Sequence, residues 1–138
     1  MADTEEAAQS RLAQQPALAT RRVLVVDDNA DSAESLKRLL TREGYQVMAL
    51  QSPLKAVELA QVFTPHVAII DVSMPIMDGL ALCRYMRELP VGKQMFFLAI
   101  SGFDYTDEQI RSAGFEEIFL KPIDWPRLQA ALAQYWLV

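Results

Sequence analysis

The sequence predicts an α/β domain in which five parallel strands and five helices alternate, a (βα)5 doubly wound sheet. Three observations carry that prediction. Short apolar runs alternate five times with segments of helical periodicity. The runs at 23–26, 67–70 and 95–100 are apolar almost throughout, as strands covered on both faces are. Most elements are bounded by Gly, Pro, Asp or Ser in positions that stop or start regular structure. Strands alternating with helices imply right-handed crossovers and a parallel sheet with helices on both faces.

Residues 1–21 stand apart: rich in Ala, Gln, Thr and Glu, with Pro16 in the middle and no aromatic side chain, they read as a flexible N-terminal extension. A self-associating helix is the other reading of that stretch. The domain is expected over 22–138. Strand 1 is 23–26, followed by Asp27-Asp28-Asn29. Helix 1 spans 31–43, with Ala33, Leu36, Leu39 and Leu40 on one face, Asp31 and Glu34 spaced as a capping box, and Gly44 as the stop. Strand 2 is 45–50. Ser52 caps helix 2, Pro53 fits its first turn, and the helix runs to about residue 62. Strand 3 is 66–70. Helix 3 places Leu80, Cys83, Met86 and Leu89 inward and breaks at Pro90-Val91-Gly92. Strand 4 is 95–100. Thr106 and Gln109 start a short helix 4 that Gly114 closes. Strand 5 lies within 115–120, and Asp124 caps helix 5, which carries Pro126 in its first turn and reaches about residue 136.

A length of 138 residues suits one domain with a real core. The net charge of −5 argues against a nucleic-acid or anionic-membrane surface supplied by the domain as a whole. A single cysteine, Cys83, on an apolar helix stripe leaves no intrachain disulfide and no cysteine metal cluster, and reads as core. The acidic N-terminus lacks the cationic and apolar blocks of a secretory signal, and no apolar run is long enough to span a bilayer. A cytoplasmic location is the expectation. His66, without a second His or a Cys pair, is no transition-metal ligand and reads as a strand-edge residue. Arg21-Arg22 reads as a solvated start to the fold, and Trp125 and Trp136 either as anchors for a partner or as packing onto the sheet.

The chemistry gathers at the strand ends. Strand 1 ends in Asp27 and Asp28, strand 3 in Asp71, strand 4 in Ser101 and strand 5 in Lys121. A parallel sheet puts all five on one edge, and the flavodoxin-like order 2-1-3-4-5 makes them neighbours, with the crevice between strands 1 and 3 as the switch point. Three close carboxylates repel one another and call for a cation, and Mg²⁺ takes hard oxygen ligands of this kind. A lysine and a hydroxyl facing the same point can hold phosphoryl oxygens. A carboxylate can be the nucleophile that accepts the phosphoryl group as an acyl phosphate. The set is consistent with Mg²⁺-dependent phosphorylation of an aspartate.

The motifs V-V-D-D-N, I-I-D-V-S-M-P-I-M-D-G, A-I-S-G and L-K-P, spread over all but the N-terminal extension, resemble those of two-component response-regulator receiver domains. The resemblance implies Asp71 as phosphoacceptor, with Ser101 bonding and Lys121 pairing with the phosphoryl group. It implies Mg²⁺ (or Mn²⁺) held by Asp28 directly, by Asp27 largely through water, by Asp71 and by the backbone carbonyl of Ser73. It implies a cis Lys121-Pro122 peptide. The donor would be the phosphohistidine of a sensor histidine kinase or a histidine phosphotransfer protein, docking near helix 1. An output partner of unspecified identity would read a phosphorylation-dependent conformational change. The domain would be a monomer or weak homodimer, either a stand-alone receiver or one excised from a hybrid kinase, and not itself an enzyme.

This sequence departs from that pattern where an aromatic switch residue or His often stands three positions before the lysine: here it is Ile118, with the neighbouring Phe119 turned to the other face. Phe103 is bulky enough to shield the acyl phosphate from water. Two rivals accompany the main reading. A small Mg²⁺-dependent phosphohydrolase with an aspartyl nucleophile would want a second acid two residues after Asp71, where Ser73 stands. A receiver-like interaction module that is never phosphorylated would have no need of the acidic set.

Overall fold

The computed structural model describes residues 21–74, 77–103 and 105–137. The extension expected over 1–21 lies outside them except for Arg21. The strands are β1 Arg22–Val26, β2 Gln46–Leu50, β3 Val67–Asp71, β4 Phe96–Ser101 and β5 Glu117–Leu120. The helices are α1 Ala30–Arg42, α2 Pro53–Phe63, α3 Gly79–Glu88, α4 Asp107–Ala113 and α5 Trp125–Leu137, with a 3-10 helix over Pro90–Gln94. All strands pair in parallel in the order β2-β1-β3-β4-β5, as the alternation predicts.

Side chains alternate across the sheet and sort into two apolar layers. Val23, Val25, Val67, Ile69, Leu98, Ile100 and Phe119 face α1 and α5, where Leu36, Leu40, Leu128 and Leu132 meet them. Leu24, Val26, Ala68, Ile70, Phe97 and Ala99 face Ala56, Ala60, Leu82, Cys83, Met86 and Ile110 of α2, α3 and α4. Each fully buried Leu or Ile contributes roughly 1.5–3 kcal/mol through removal from water. Ile118 packs on the second layer and Phe119 on the first, so the two turn opposite ways as expected. Trp136 is buried, stacks on Tyr45 and donates its Nε1–H to the Tyr45 hydroxyl. Burial raises the Cys83 thiol to about 12, which suits a packing residue rather than a nucleophile.

Several local expectations shift. Helix α1 is capped by Asn29, whose side chain accepts from Ser32 N at 2.9 Å, and Asp31 sits inside the first turn. Asp and Asn both cap helices, and the Asp27 carboxylate holding the Asn29 amide decides in favour of the earlier residue. Strand β3 runs one residue further than the apolar run and includes Asp71, paired with Ile100. In α3 the fully buried residues include Leu82 as well as Cys83 and Met86. Leu80 packs only partly, and Leu89 is the extended C-cap before Pro90. Arg21 and Arg22 are not simply solvated: the Arg21 guanidinium lies 4.8 Å from the Trp136 ring centroid, and Arg22 Nε donates to the Thr64 carbonyl. Thr106 and Gln109 form the expected reciprocal capping box on α4, which has 7 residues.

His66 is tied to the start of β1, its Nδ1 accepting the Arg22 amide at 3.0 Å. Burial, and then the charges of Arg22 and Arg21, hold its pKa below the usual 6.5. The folded state therefore binds fewer protons than the unfolded one as pH falls through 6.5, so stability falls with pH across that window. The melting temperature is expected to fall between about pH 7 and pH 5, and to fall less in His66→Gln; equal slopes in the two proteins would refute this role for His66.

Candidate functional site

The sheet delivers its polar residues to one edge because the ladder continues past each strand end. Asp27 N donates to the Leu50 carbonyl, Val72 N to Ile100, and Lys121 N to Ser101. These bonds register the end of β1 on β2 and the ends of β3 and β5 on β4, and the pairing of Val26 with Ile70 brings β1 and β3 level. Gly79, the first residue of α3, packs against the backbone of β3 so closely that a Cβ there would lie 2.3 Å from the Asp71 carbonyl oxygen.

Asp27 and Asp71 are held alike. Asp27 Oδ1 accepts the Asn29 amide at 3.0 Å, and Asp71 Oδ1 accepts the Ser73 amide at 2.9 Å. Each is a carboxylate bonding the backbone two residues on, a local arrangement open to Asp at a strand end. The other oxygen of each faces Lys121, whose Nζ lies 2.8 Å from Asp27 Oδ2 and 3.3 Å from Asp71 Oδ2. Both acids are buried, whereas Asp28 is exposed. A carboxylate oxygen from each of Asp27, Asp28 and Asp71 falls within a cluster no wider than 4.8 Å. Three acids against one ammonium leave two negative charges unbalanced at this point.

Burial is the largest influence on Asp27 and pushes its carboxyl above the ordinary range, against the pull of Lys121 and the Asn29 amide. Burial also opposes the charge of Lys121, but its contacts with Asp27 and Asp71 outweigh that and hold it above its ordinary value. The lysine is thus an ammonium at neutral pH, fixed between two acids. The Lys121-Pro122 peptide is cis, as the resemblance implies.

Ser101 is fully buried at the end of β4, and its Oγ accepts the Phe103 amide at 2.9 Å. Phe103 itself is 70% exposed, so it meets the site through its backbone, and its ring gives little of the cover expected from its bulk. Ser73 Oγ lies 3.3 Å from Ser101 Oγ and 3.3 Å from the Tyr105 hydroxyl. Tyr105 is a site neighbour that sequence reasoning missed. It stands four residues after Ser101 in a connection with no periodic signal.

The family model of the response regulator receiver domain matches residues 23–133. The chain belongs to this family. Such receiver domains are the regulatory input modules of two-component response regulators. This receiver is 35% identical over 124 residues to a 14.6 kDa protein encoded in the sodA1 3' region of Leptolyngbya boryana, covering 87% of this chain and 93% of that one. It is 34% identical over 113 residues to the response regulator MprA of a Mycobacterium strain, covering 80% of this chain but 48% of the mycobacterial protein. It thus spans about half the length of that regulator. A CheY-like receiver structure from Methylobacillus flagellatus is 31% identical and superposes with a TM-score of 0.76 over 84% of this receiver and 98% of that one. Among the described residues of the receiver, no helix is long and apolar enough to cross a membrane.

Proposed function

We propose that this receiver accepts a phosphoryl group on Asp71 from a phosphohistidine and passes the signal on by changing conformation. The observation that carries the reading is the single ammonium of Lys121 shared by two buried, amide-anchored carboxylates beside an exposed third. An acid set in excess of its counter-charge, all hard oxygen donors, fits a divalent cation. Asp27, Asp28 and Asp71, with the Ser73 backbone carbonyl, would hold Mg²⁺ or Mn²⁺. That ion, when bound, supplies charge neutralisation for an incoming phosphate.

The protein's own residues account for the rest. An Asp71 carboxylate oxygen attacks phosphorus as the phosphorus–nitrogen bond of the donor imidazole breaks, and the electron pair leaves with that nitrogen. Two oriented hydrogen bonds hold Asp71 in place before the donor arrives, which reduces the ordering left to do at reaction. Lys121 offers its ammonium to the transferred oxygens, and Ser101, buried on the same edge, offers its hydroxyl. A cavity of about 340 Å³ lined by Asp27 and Lys121, with Ser32, Leu36 and Leu39 of α1 and Pro122, gives a donor helix a surface beside the acid–lysine pair. The donor is a sensor kinase or phosphotransfer protein, the setting is cytoplasmic, and residues 22–138 act as the unit.

With acetyl phosphate and Mg²⁺, intact mass is expected to show one phosphate per chain, absent without a divalent cation and in Asp71→Asn. No adduct from any donor would favour an unphosphorylated interaction module, and steady turnover of phosphoesters a hydrolase.

A further inference from the structure

We propose that Tyr105, Ser73 and Ser101 form a chain of hydroxyl donors that ends on the phosphoryl group at Asp71 and couples phosphorylation to the N-terminus of α4. The inference rests on the phosphoacceptor reading above and names the path by which that site is read.

The three hydroxyls stand in a row: Tyr105 to Ser73 at 3.3 Å and Ser73 to Ser101 at 3.3 Å. A hydroxyl can donate one hydrogen bond and accept others, so a row of three can point either way. In the unphosphorylated domain Ser101 Oγ accepts the Phe103 amide, and among the described residues its hydroxyl partner is Ser73 rather than a carboxylate. A phosphoryl group brings only strong acceptor oxygens. Placed beside Ser101, it selects one direction: Tyr105 donates to Ser73, Ser73 to Ser101, and Ser101 to the phosphoryl oxygen. Hydrogen bonds aligned head to tail strengthen one another, and the phenol, the most acidic of the three, stands at the head where only donation is needed. Both links, at 3.3 Å, are longer than an ordinary hydroxyl–hydroxyl hydrogen bond, which leaves room for the row to tighten.

What tightening moves is set by the chain. The residue after Tyr105 is Thr106, the N-cap of α4, whose hydroxyl accepts the Gln109 amide at 3.1 Å while Gln109 Oε1 accepts the Thr106 amide at 2.9 Å. This reciprocal cap makes the helix start rigid with respect to its neighbour, so drawing in Tyr105 draws on α4. Strand β5, Glu117–Leu120, carries no hydroxyl. Ile118 packs on the same layer as Tyr105 without a polar group to offer. Tyr105 is therefore a positioning residue that acts on the phosphoryl group through two serines.

The test is amide NMR of uniformly labelled protein before and after acetyl phosphate with Mg²⁺, with intact mass reporting phosphate occupancy in each sample. In the wild type, signals of residues 106–110 are expected to shift along with those around Asp71 and Ser101. Tyr105→Phe keeps the ring and its packing but removes the donor. At equal occupancy it should keep the shifts around Asp71 and lose most of those in α4. Ser73→Ala, which breaks the middle link, should lose the same α4 shifts and guards against a folding defect in the first variant. Full α4 shifts in phosphorylated Tyr105→Phe, or a phosphorylated wild type whose α4 signals do not move, would overturn the inference alone. A wild type that takes no phosphate would remove the phosphoacceptor reading, and the inference with it.

Discussion

Lys121→Met is expected to lose about 2 kcal/mol of stability near pH 7, less than a fully buried broken pair costs because the lysine is partly exposed. The methionine keeps most of the apolar stem but removes the charge, leaving Asp27 and Asp71, 0% and 4% exposed, facing each other with no cation between them. The sign of the pH effect follows. Burial already raises the Asp27 carboxyl and the ammonium is what opposes it, so without Lys121 the folded variant takes up a proton at Asp27 more readily than its unfolded chain as pH falls toward 5, and its stability rises relative to the wild type. Thermal melts from pH 7 to pH 5 should show the gap between the two proteins closing. Added Mg²⁺ should stabilise the variant more than the wild type, since it restores the missing positive charge. The yield of phosphate adduct from acetyl phosphate should drop roughly tenfold, corresponding to one lost charge-assisted contact. A gap that stays constant with pH and Mg²⁺ would mean that Lys121 matters for packing and not for charge.

Gly79→Ala is expected to cost about 3 kcal/mol and lower the melting temperature by roughly 10 °C. The added carbon would lie 2.3 Å from the Asp71 carbonyl oxygen and 2.5 Å from Val72 Cα, both backbone atoms that cannot rotate away. Relief requires α3 to back off from β3, and that moves the carboxylate end of the strand. Phosphate uptake should therefore fall further than lost stability explains, even at temperatures where the variant is fully folded. A variant that melts with the wild type would show that the helix start is free to slide.

Much of this is legible in the sequence because the relevant physics is local. Apolar runs that stop at a carboxylate, and the regular alternation with helices, placed Asp27, Asp71, Ser101 and Lys121 on one edge. What the pattern could not convey depends on side-chain geometry across the sheet. Asp27 and Asp28 are adjacent and chemically alike, yet one is fully buried against Lys121 and the other faces solvent. The choice between Asn29 and Asp31 as the cap of α1 depended on an amide taken up by Asp27. In α3 the start at Gly79 turned Leu82 inward and left Leu80 half-covered, a rotation that helical spacing alone does not determine. Tyr105 gave no signal at all, since its approach to Ser73 comes from the path of a loop.

The most direct test of the site is chemical. An aspartyl phosphate is reduced by borohydride to homoserine, while a free carboxylate is untouched, so peptide mapping after treatment with acetyl phosphate, Mg²⁺ and borohydride reads the acceptor by position. Homoserine at residue 71 alone, and none in protein treated without the phosphodonor, is the expected result. Homoserine at residue 27, 28 or 78, or none anywhere despite a phosphate adduct by mass, would contradict Asp71 as the phosphoacceptor.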